Sequence, residues 1–379
     1  MKIVGIIVEY NPLHNGHIFH INESVKKSGA DLLIAVMSGN VVQRGEFSSF
    51  DKFTKTKWAL NAGIDLVIEL PGLYTLQNAD IFAYTAVALL DKAGVNEIYF
   101  GSEHGAIHPL KTAAEIMRTP LYNEKIKAYL NLGYSYPSSA DQALYDLTHN
   151  TIHKNPNDIL GIQYINAAWN INSTIRLDVI KRSESGYYDA YDDDKTIQSA
   201  TALRQRLINQ KSIKSAVPSF VSQDTAKFFD HAQVFPYIKY ALTTHRKETL
   251  KEVFGVDEGI ETHLLKNYKA DTFSDLMNQL STKRYTHAKL KRILMHMVLR
   301  STKDNLPSFD VPYLRILGMN EAGQKHLNSL KHTIDIPLIT KIKRTKHALL
   351  EMELQISKLY SVLSGNDVYN EEFNPVIIL

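Results

Sequence analysis

The sequence contains no cysteine, few glycines and prolines, and no long uninterrupted run of apolar residues. The absence of cysteine excludes disulfides, thiolate zinc sites, iron-sulfur clusters and cysteine nucleophiles, and it fits a reducing compartment. With 18 Gly and 12 Pro in 379 residues, the chain is neither collagenous nor dominated by linkers. The apolar run at the start is too short for a signal peptide, and no later run approaches the ~20 residues of a spanning helix. We therefore expect an unprocessed, cytoplasmic protein.

The first half of the chain alternates short apolar runs with amphipathic segments, which is the pattern of βαβ units. Runs rich in Val, Ile and Leu predict five strands buried on both faces, at residues 3–8, 32–37, 65–70, 97–100 and 175–180. A chain of this length suggests two domains at roughly 150 residues each. We predict an α/β fold whose first domain, residues 1–195, contains a Rossmann-like, parallel five-stranded sheet.

From about residue 196 the strand pattern gives way to helical periodicity, which predicts an all-helical second domain over residues 196–379. This half is basic: residues 201–379 contain 26 Lys and Arg against 18 Asp and Glu, whereas residues 1–200 contain 17 against 22. Residues 281–350 alone contain 14 Lys and Arg against 4 Asp and Glu. A surplus of this size is typical of a surface that follows several phosphates, although a solvated basic face explains a single helix equally well.

The strongest local signal is the segment EYNPLHNGH, residues 9–17, which follows the first strand and opens the first helix. His14 and His17 are one helical turn apart, and a helix N-terminus directs free N–H groups at an anion. Gly16 removes the Cβ that would keep a nucleotide away from the backbone. The pattern favours nucleotidyl transfer at an α-phosphate, where catalysis consists of positioning and charge neutralisation. A zinc half-site and a purely structural helix start are the alternatives.

Polar residues also follow the later strands, at the sheet edge where such folds bind ligands. A polar loop, residues 38–46, follows the second strand, and Gly101 follows the fourth. Lys181 and Arg182 follow the fifth, and the segment SATALR, residues 199–204, then opens a helix. The cations Lys181, Arg182 and Arg204 and the hydroxyls of Ser199 and Thr201 could hold the β- and γ-phosphates of a nucleotide. A surface ion pair or a helix cap is the competing interpretation of each.

The motif at residues 14–17 resembles the His-x-Gly-His signature of the nucleotidyltransferase superfamily, and residues 199–204 are similar to its second phosphate motif. More narrowly, the chain resembles the bacterial tRNA(Met) cytidine acetate ligases. The matching stretches are residues 9–20, 38–46, 65–71, 100–103, 156–164 and 181–182. The resemblance implies that ATP activates acetate as acetyl-adenylate with release of diphosphate. The acetyl group then passes to N4 of the wobble cytidine of elongator tRNA(Met), and AMP is released.

The resemblance also implies the site residues. His14, His17 and Arg182 would be catalytic; the sequence has no Lys-Met-Ser-Lys-Ser loop, so Arg182, helped by Lys181, would supply the cation on the phosphates. ATP would contact Ile7, Val8, Glu9, Tyr10, Asn11, Pro12, Leu13, His14, Asn15, Gly16, His17, Ile18, Phe19, His20, Gly101, Asn157 and Arg182. Apart from the resemblance, the polar loop after the second strand is expected to border the acyl or cytidine site with Ser38, Asn40, Gln43 and Arg44. The basic residues predicted to grip the tRNA are Lys283, Arg284, Lys289, Lys291, Arg292, Lys341, Lys343 and Arg344.

No acidic cage for a protein-bound metal is visible, so we expect Mg²⁺ to arrive with ATP and to be held largely by phosphates and water. Two other functions remain open. A cofactor adenylyltransferase, which makes a dinucleotide from ATP, would explain the N-terminal half equally well but would leave the basic half unexplained. A non-catalytic RNA-binding protein that kept a nucleotide-binding fold is the other. The oligomeric state and the carboxylate preference are left open.

Overall fold

The computed structural model describes residues 1–149, 155–182, 191–257, 259–282, 285–305, 311–342 and 347–379. Within these ranges lie ten strands: β1 (Ile3–Val8), β2 (Leu32–Ser38), β3 (Val41–Val42), β4 (Glu46–Phe47), β5 (Leu66–Leu70), β6 (Glu97–Ser102), β7 (Arg176–Lys181), β8 (Leu314–Met319), β9 (Leu338–Ile339) and β10 (Ile377–Ile378).

The helices of the first half surround the strands or connect them. They are α1 (Asn15–Ser28), α2 (Lys52–Asn61), α3 (Gly72–Thr75), α4 (Ala79–Lys92), α5 (Ile107–Met117), α6 (Pro120–Asn131), α7 (Tyr136–Thr148) and α8 (Pro156–Asn170). Those of the second half are α9 (Ala200–Ile208), α10 (Ser219–Ser222), α11 (Phe235–Thr244), α12 (Lys247–Glu252), α13 (Ile260–Lys266), α14 (Phe273–Leu280), α15 (His287–Val298), α16 (Glu321–Leu330), α17 (Ala348–Ser364) and α18 (Val368–Glu371). No helix in the described ranges is both long and apolar enough to cross a bilayer.

The main sheet has the strand order β10-β8-β5-β2-β1-β6-β7, with β9 paired to β8. The pairs among β5, β2, β1, β6 and β7 are all parallel. Alternate residues of β2 enter different cores, Ile34 on one face of the sheet and Leu33 on the other. The sheet is therefore covered on both faces, and the predicted α/β class with a mostly parallel sheet is confirmed.

Two finer predictions are wrong. The sheet contains eight strands rather than five, and the C-terminal half is not all-helical, because β8, β9 and β10 belong to it. Strand β8 runs antiparallel to β5 and is buried along its whole length. Its sequence, LRILGM, contains the charged residue Arg315 and a glycine, so it neither alternates nor forms a continuous apolar run, and its pattern does not predict a strand. The division at residue 195 stays a prediction, and the sheet spans it.

A buried ionic cluster attaches the C-terminal elements to the sheet. The Nζ of Lys52 on α2 lies 2.6 Å from Glu69 on β5 and 2.7 Å from Glu372. Arg315 on β8 contacts the same two carboxylates, at 3.2 Å and 2.5 Å. Burial disfavours the charge on Lys52, but Glu372 and Glu69 outweigh it and raise the pKa of the ammonium.

The strand order creates a crevice beside β1. From β1 the chain passes to β2 and β5 on one side, and it then returns to β6 and β7 on the other. Loops that leave β1 and β6 consequently diverge at their carboxyl ends, which is where ligands bind in sheets of this kind.

Candidate functional site

A cavity of ≈ 1040 Å³ occupies this crevice. Its walls come from the carboxyl ends of β1, β6 and β7, from the N-termini of α1, α8 and α9, and from parts of α7 and α15. Among the ATP residues that the sequence predicts, those lining it are Ile7, Val8, Glu9, Tyr10, Asn11, His14, Gly16, His17, Phe19, His20, Gly101, Asn157 and Arg182. Pro12, Leu13, Asn15 and Ile18 belong to the same segment but do not line the cavity.

His14 and His17 stack on each other at the start of α1. Their ring centroids are 3.7 Å apart and the rings are inclined by 26°. The backbone N–H of Gly16 donates to Nδ1 of His14 over 3.1 Å, and the N–H of His14 donates to Nδ1 of His17 over 3.2 Å. The two histidines thus form a reciprocal cap that satisfies two backbone donors at the helix start.

These bonds determine which ring nitrogen carries the proton. Because both Nδ1 atoms accept a hydrogen bond, each neutral imidazole has its proton on Nε2. Burial, with smaller effects of Arg182 and Arg204, lowers the pKa of His14 to about 3. Burial and His14 hold the pKa of His17 well below its ordinary value, and burial with Arg182 lowers that of His20 to about 4. At neutral pH the helix start therefore presents uncharged Nε2–H donors.

Gly16 is required by the cap itself. A Cβ at this position would lie 2.9 Å from Cε1 and 3.0 Å from Nδ1 of His14. The sequence prediction assigned this glycine to close nucleotide approach, whereas the structure shows that a side chain here would displace the His14 ring. The glycine thus fixes the position of an imidazole at the cavity wall.

The loop between β1 and α1 is held in place by the buried side chain of Lys55. Tyr10 has a φ of 48° and the Asn11–Pro12 peptide is cis. The buried ammonium of Lys55 donates to the carbonyls of Glu9 (3.0 Å), Ser38 (2.8 Å) and Gly39 (2.8 Å). Burial lowers the pKa of Lys55 to about 7, with Glu9 opposing the shift. Sequence reasoning missed this lysine, because nothing in the helical pattern of α2 distinguishes it from a solvated residue.

Arg182 lies just beyond β7 at the opposite wall. A Cβ on Gly101 would lie 3.3 Å from its Cγ, so the glycine gives the arginine room at the end of β6. The Nε of Arg182 is 4.0 Å from Glu103, whose carboxylate also accepts from the side chain of Asn157 and from the N–H of Asp158. Lys181 lines the cavity beside Arg182. Asn157 and Arg182 are thus joined through Glu103, which sequence reasoning did not select.

The segment SATALR, predicted to be a second phosphate motif, begins α9. Ser199 is the N-cap and accepts from the N–H of Ala202 over 3.1 Å. Arg204 donates to the carbonyl of Asn11 over 2.8 Å and to the hydroxyl of Thr201 over 3.2 Å. Ser199 and Arg204 line the cavity, whereas Thr201 does not. The motif therefore closes the cavity at the side of the β1 loop.

The predicted acyl or cytidine residues divide into two pairs. Gln43 and Arg44 line the cavity. Ser38 and Asn40 do not: the hydroxyl of Ser38 donates to Glu9 over 3.2 Å, and the amide of Asn40 donates to Ser357 over 2.9 Å. Both are buried and support the loop from behind. The structure therefore brings only Gln43 and Arg44 to the cavity.

One side of the cavity is apolar, which sequence reasoning did not foresee. It is formed by residues of α4 to α8 and β6: Phe82, Phe100, Met117, Tyr122, Tyr136, Leu144, Leu160 and Tyr164. The rings of Phe100 and Tyr164 meet edge to face with centroids 5.6 Å apart. These residues carry no local motif, because they converge only when the helices pack on the sheet.

The predicted basic residues do not form one group. Arg292 on α15 lines the cavity, and Lys291 forms an ion pair with Glu46. The Nζ of Lys289 is 5.5 Å from the centroid of the Tyr285 ring, and Lys341 is exposed. Lys283, Arg284, Lys343 and Arg344 lie outside the described residues.

Comparison with known proteins identifies the family. The HIGH Nucleotidyl Transferase family matches residues 1–374. The chain is 38% identical to the tRNA(Met) cytidine acetate ligase of Geobacillus sp. (strain WCH70), with 98% of each chain covered. It is 34% identical to that of Bacillus subtilis (strain 168), with 96% of this chain and 92% of the relative covered. The chain belongs to the tRNA(Met) cytidine acetate ligase family.

Solved structures agree with membership of the tRNA(Met) cytidine acetate ligase family. Apo Thermotoga maritima TmcAL (form I) superposes with a TM-score of 0.93 at 27% identity, and all of both chains is covered. The form II structure of the same protein, bound with alpha-thio ATP, gives 0.90 at 26% identity over the same coverage. The resemblance seen in the sequence is thereby confirmed.

Proposed function

We propose that the chain is a tRNA(Met) cytidine acetate ligase. It activates acetate with ATP and transfers the acetyl group to N4 of the wobble cytidine of elongator tRNA(Met). The observation that carries the proposal is a paired set of neutral imidazoles at a helix start, opposite Arg182, in a chain whose relatives at 34% and 38% identity bear this name. The comparisons do not favour a cofactor adenylyltransferase or a non-catalytic RNA-binding protein.

In the proposed complex ATP lies along the start of α1. The Nε2–H groups of His14 and His17 donate to phosphate oxygens, and the positive end of the helix adds to the attraction. Arg182 and Lys181 neutralise the phosphates from the β7 side, and Arg204 does so from α9. The alpha-thio ATP complex of Thermotoga maritima TmcAL supports a nucleotide in this fold.

The proposed first step joins a carboxylate oxygen of acetate to the α-phosphorus of ATP, and the bond to the diphosphate oxygen breaks. Charge that develops on the phosphate oxygens is stabilised by donors already in place, which requires no reorganisation during the reaction. In the second step N4 attacks the acetyl carbon, AMP leaves, and N4 loses a proton. Acetate needs this activation because its free oxygen is a poor leaving group.

Mg²⁺ is part of the proposal as a companion of ATP. In the described ranges no three His, Cys, Asp or Glu side chains cluster closely enough to hold a metal ion. At the helix start and the end of β7 the cavity presents imidazoles, Lys181 and Arg182, which suit phosphate oxygens rather than a bare cation. Phosphates and water would then supply most ligands of the ion.

The basic C-terminal half would bind the tRNA, in the cytoplasm where tRNA is found. The wobble base must leave its stack to reach the apolar side of the cavity, as bases do in enzymes that modify them. Arg292, which lines the cavity from α15, links this half to the reaction site. Residues 196–379 are accordingly proposed as the tRNA-binding part.

Two assays test the proposal together. Acetate-dependent exchange of diphosphate into ATP reports the first step without tRNA, and mass analysis of tRNA nucleosides after incubation with ATP and labelled acetate reports the second. His17→Ala should reduce exchange by about 10² or more, because it removes a donor to the transition-state charge. Lys325→Ala, at an exposed ion pair on α16, serves as the control. Wild-type protein that showed neither exchange nor acetylated cytidine would refute the proposed function.

A further inference from the structure

A second cavity of ≈ 790 Å³ opens beside the first. Asn78, Tyr136, Pro137, Thr286 and Arg292 line both. The two cavities therefore adjoin each other, with these five residues between them. A single small substrate such as ATP has no need of both.

One wall of the second cavity is an aromatic turn between α6 and α7. Tyr134 is 48% exposed and Tyr136 is 63% exposed, so both rings are accessible to a ligand. Ser135, between them, caps α7 by accepting from the N–H of Ser138. The ring of Tyr129 supports that of Tyr134 edge-on, with centroids 5.7 Å apart. Rings displayed on a fixed turn are suited to stack on unpaired bases.

The opposite wall of the second cavity is fixed by the contacts of His296. His296 on α15 is buried, and its Nε2 lies 2.9 Å from the carbonyl of Leu76, to which it must donate. Its ring meets Phe254 edge-on, with centroids 5.0 Å apart. The cavity thus lies between two supported surfaces rather than between mobile side chains.

Arg292 stands where the cavities meet. Its Nη1 is 3.5 Å from the carbonyl of Gln43, and in the described part of the chain no carboxylate lies within 4.0 Å of its guanidinium. Burial lowers its pKa to about 10, with Asp80 opposing the shift. A half-buried guanidinium that donates to a carbonyl and has no carboxylate at ion-pair distance is well placed to receive a phosphate. Lys289, which lines only the second cavity, adds positive charge.

We propose that the second cavity binds a nucleotide adjacent to the target cytidine. Its base stacks on the ring of Tyr134, and Arg292 contacts the phosphate that joins it to the cytidine. The inference rests on the proposed function, and it assigns to this cavity the reading of the strand beside the modified base. A free mononucleotide has the same chemistry, and the experiment separates it from RNA.

The test compares Tyr134→Ala, Tyr134→Phe and wild type in the two half-reactions. Tyr134 lines only the second cavity, so acetate-dependent exchange should stay within twofold in both variants. The KM for tRNA should rise about tenfold in Tyr134→Ala, the effect expected from loss of one stacked base, and Tyr134→Phe should restore it. Tyr268→Ala, an exposed tyrosine outside both cavities, is the matched control. In Arg292→Gln the slope of log KM for tRNA against log salt concentration should decrease by about one, as expected for the loss of one phosphate contact.

A stem-loop RNA makes the test specific. Removing the base on one side of the target cytidine should reproduce the Tyr134→Ala effect, and the two changes should not add. Additive effects at both neighbouring positions, or an unchanged KM in Tyr134→Ala, would overturn the inference. If Tyr134→Ala raised the KM for ATP in the exchange assay, the second cavity would bind a free nucleotide rather than RNA. That result would also overturn the inference. Loss of exchange in wild type would instead contradict the proposed function.

Discussion

Replacing Gly16 by alanine perturbs the helix start by a single methyl group. The added Cβ would lie 2.9 Å from Cε1 of His14 and 3.3 Å from Cγ2 of Ile197. Ordinary contacts begin near 3.4 Å, so the His14 ring must move by roughly 0.5 Å. That movement disturbs the bond from the N–H of Gly16 to Nδ1 of His14 and the stacking of His14 on His17.

Two magnitudes follow from this geometry. Overpacking by one methyl group destabilises a well-packed site by about 1 to 3 kcal/mol. Misplacement of a catalytic group by ~1 Å costs on the order of 10² in rate, so a shift of half that size should reduce exchange by at least about tenfold. Activity should therefore fall by more than the loss of folded protein explains.

The assay is acetate-dependent diphosphate exchange, measured beside the free energy of unfolding in urea. Gly29→Ala is the matched control at the other end of α1, where φ is +65° and an added Cβ meets nothing within 4 Å. Backbone strain should destabilise this variant by about 1 to 2 kcal/mol without changing exchange. Exchange within twofold of wild type in Gly16→Ala, or equal losses in both variants, would refute the role given to the His14 cap.

Two further predictions concern buried charge. Burial lowers the pKa of His296 to about 4, so the unfolded chain takes up the proton first and stability falls as pH drops below about 6.5. Between pH 7.5 and 5 the free energy of unfolding of His296→Gln should fall by about 2 kcal/mol less than that of wild type. An equal pH dependence in wild type and His296→Gln would contradict this. Lys52→Met should destabilise the protein by about 3 to 5 kcal/mol, because Glu69 and Glu372 lose a buried partner. Thermal unfolding against Lys325→Met, which breaks only an exposed pair, provides the comparison.

The five parallel strands were predictable because strands buried on both faces are continuous apolar runs that local sequence reveals. Strand β8 instead contains Arg315 and Gly318, and the residues that make burial of Arg315 possible, Glu69 on β5 and Glu372, lie far away along the chain. Local pattern contains no information about such partners, so the prediction of an all-helical C-terminal half is wrong. The strands β9 and β10, with two residues each, are too short to show any period.

Within the site, the sequence indicated the residues that form a contiguous motif, and it missed those that act across elements. Glu103 joins Asn157 to the neighbourhood of Arg182, and Lys55 gathers carbonyls from the ends of two strands. Neither has a characteristic spacing. The reverse error concerns Ser38 and Asn40, whose polarity suggested ligand contact although both bond to protein groups behind the loop.

Local sequence was enough to predict the parallel half of the sheet and two imidazoles one turn apart at a helix start, because both depend on neighbours within a few residues. The protonated nitrogen of each imidazole, the cations that reach the cavity and the presence of a second cavity beside the first follow from the three-dimensional packing. These properties depend on burial and on contacts between distant segments, and burial is what removes the charge from the histidines.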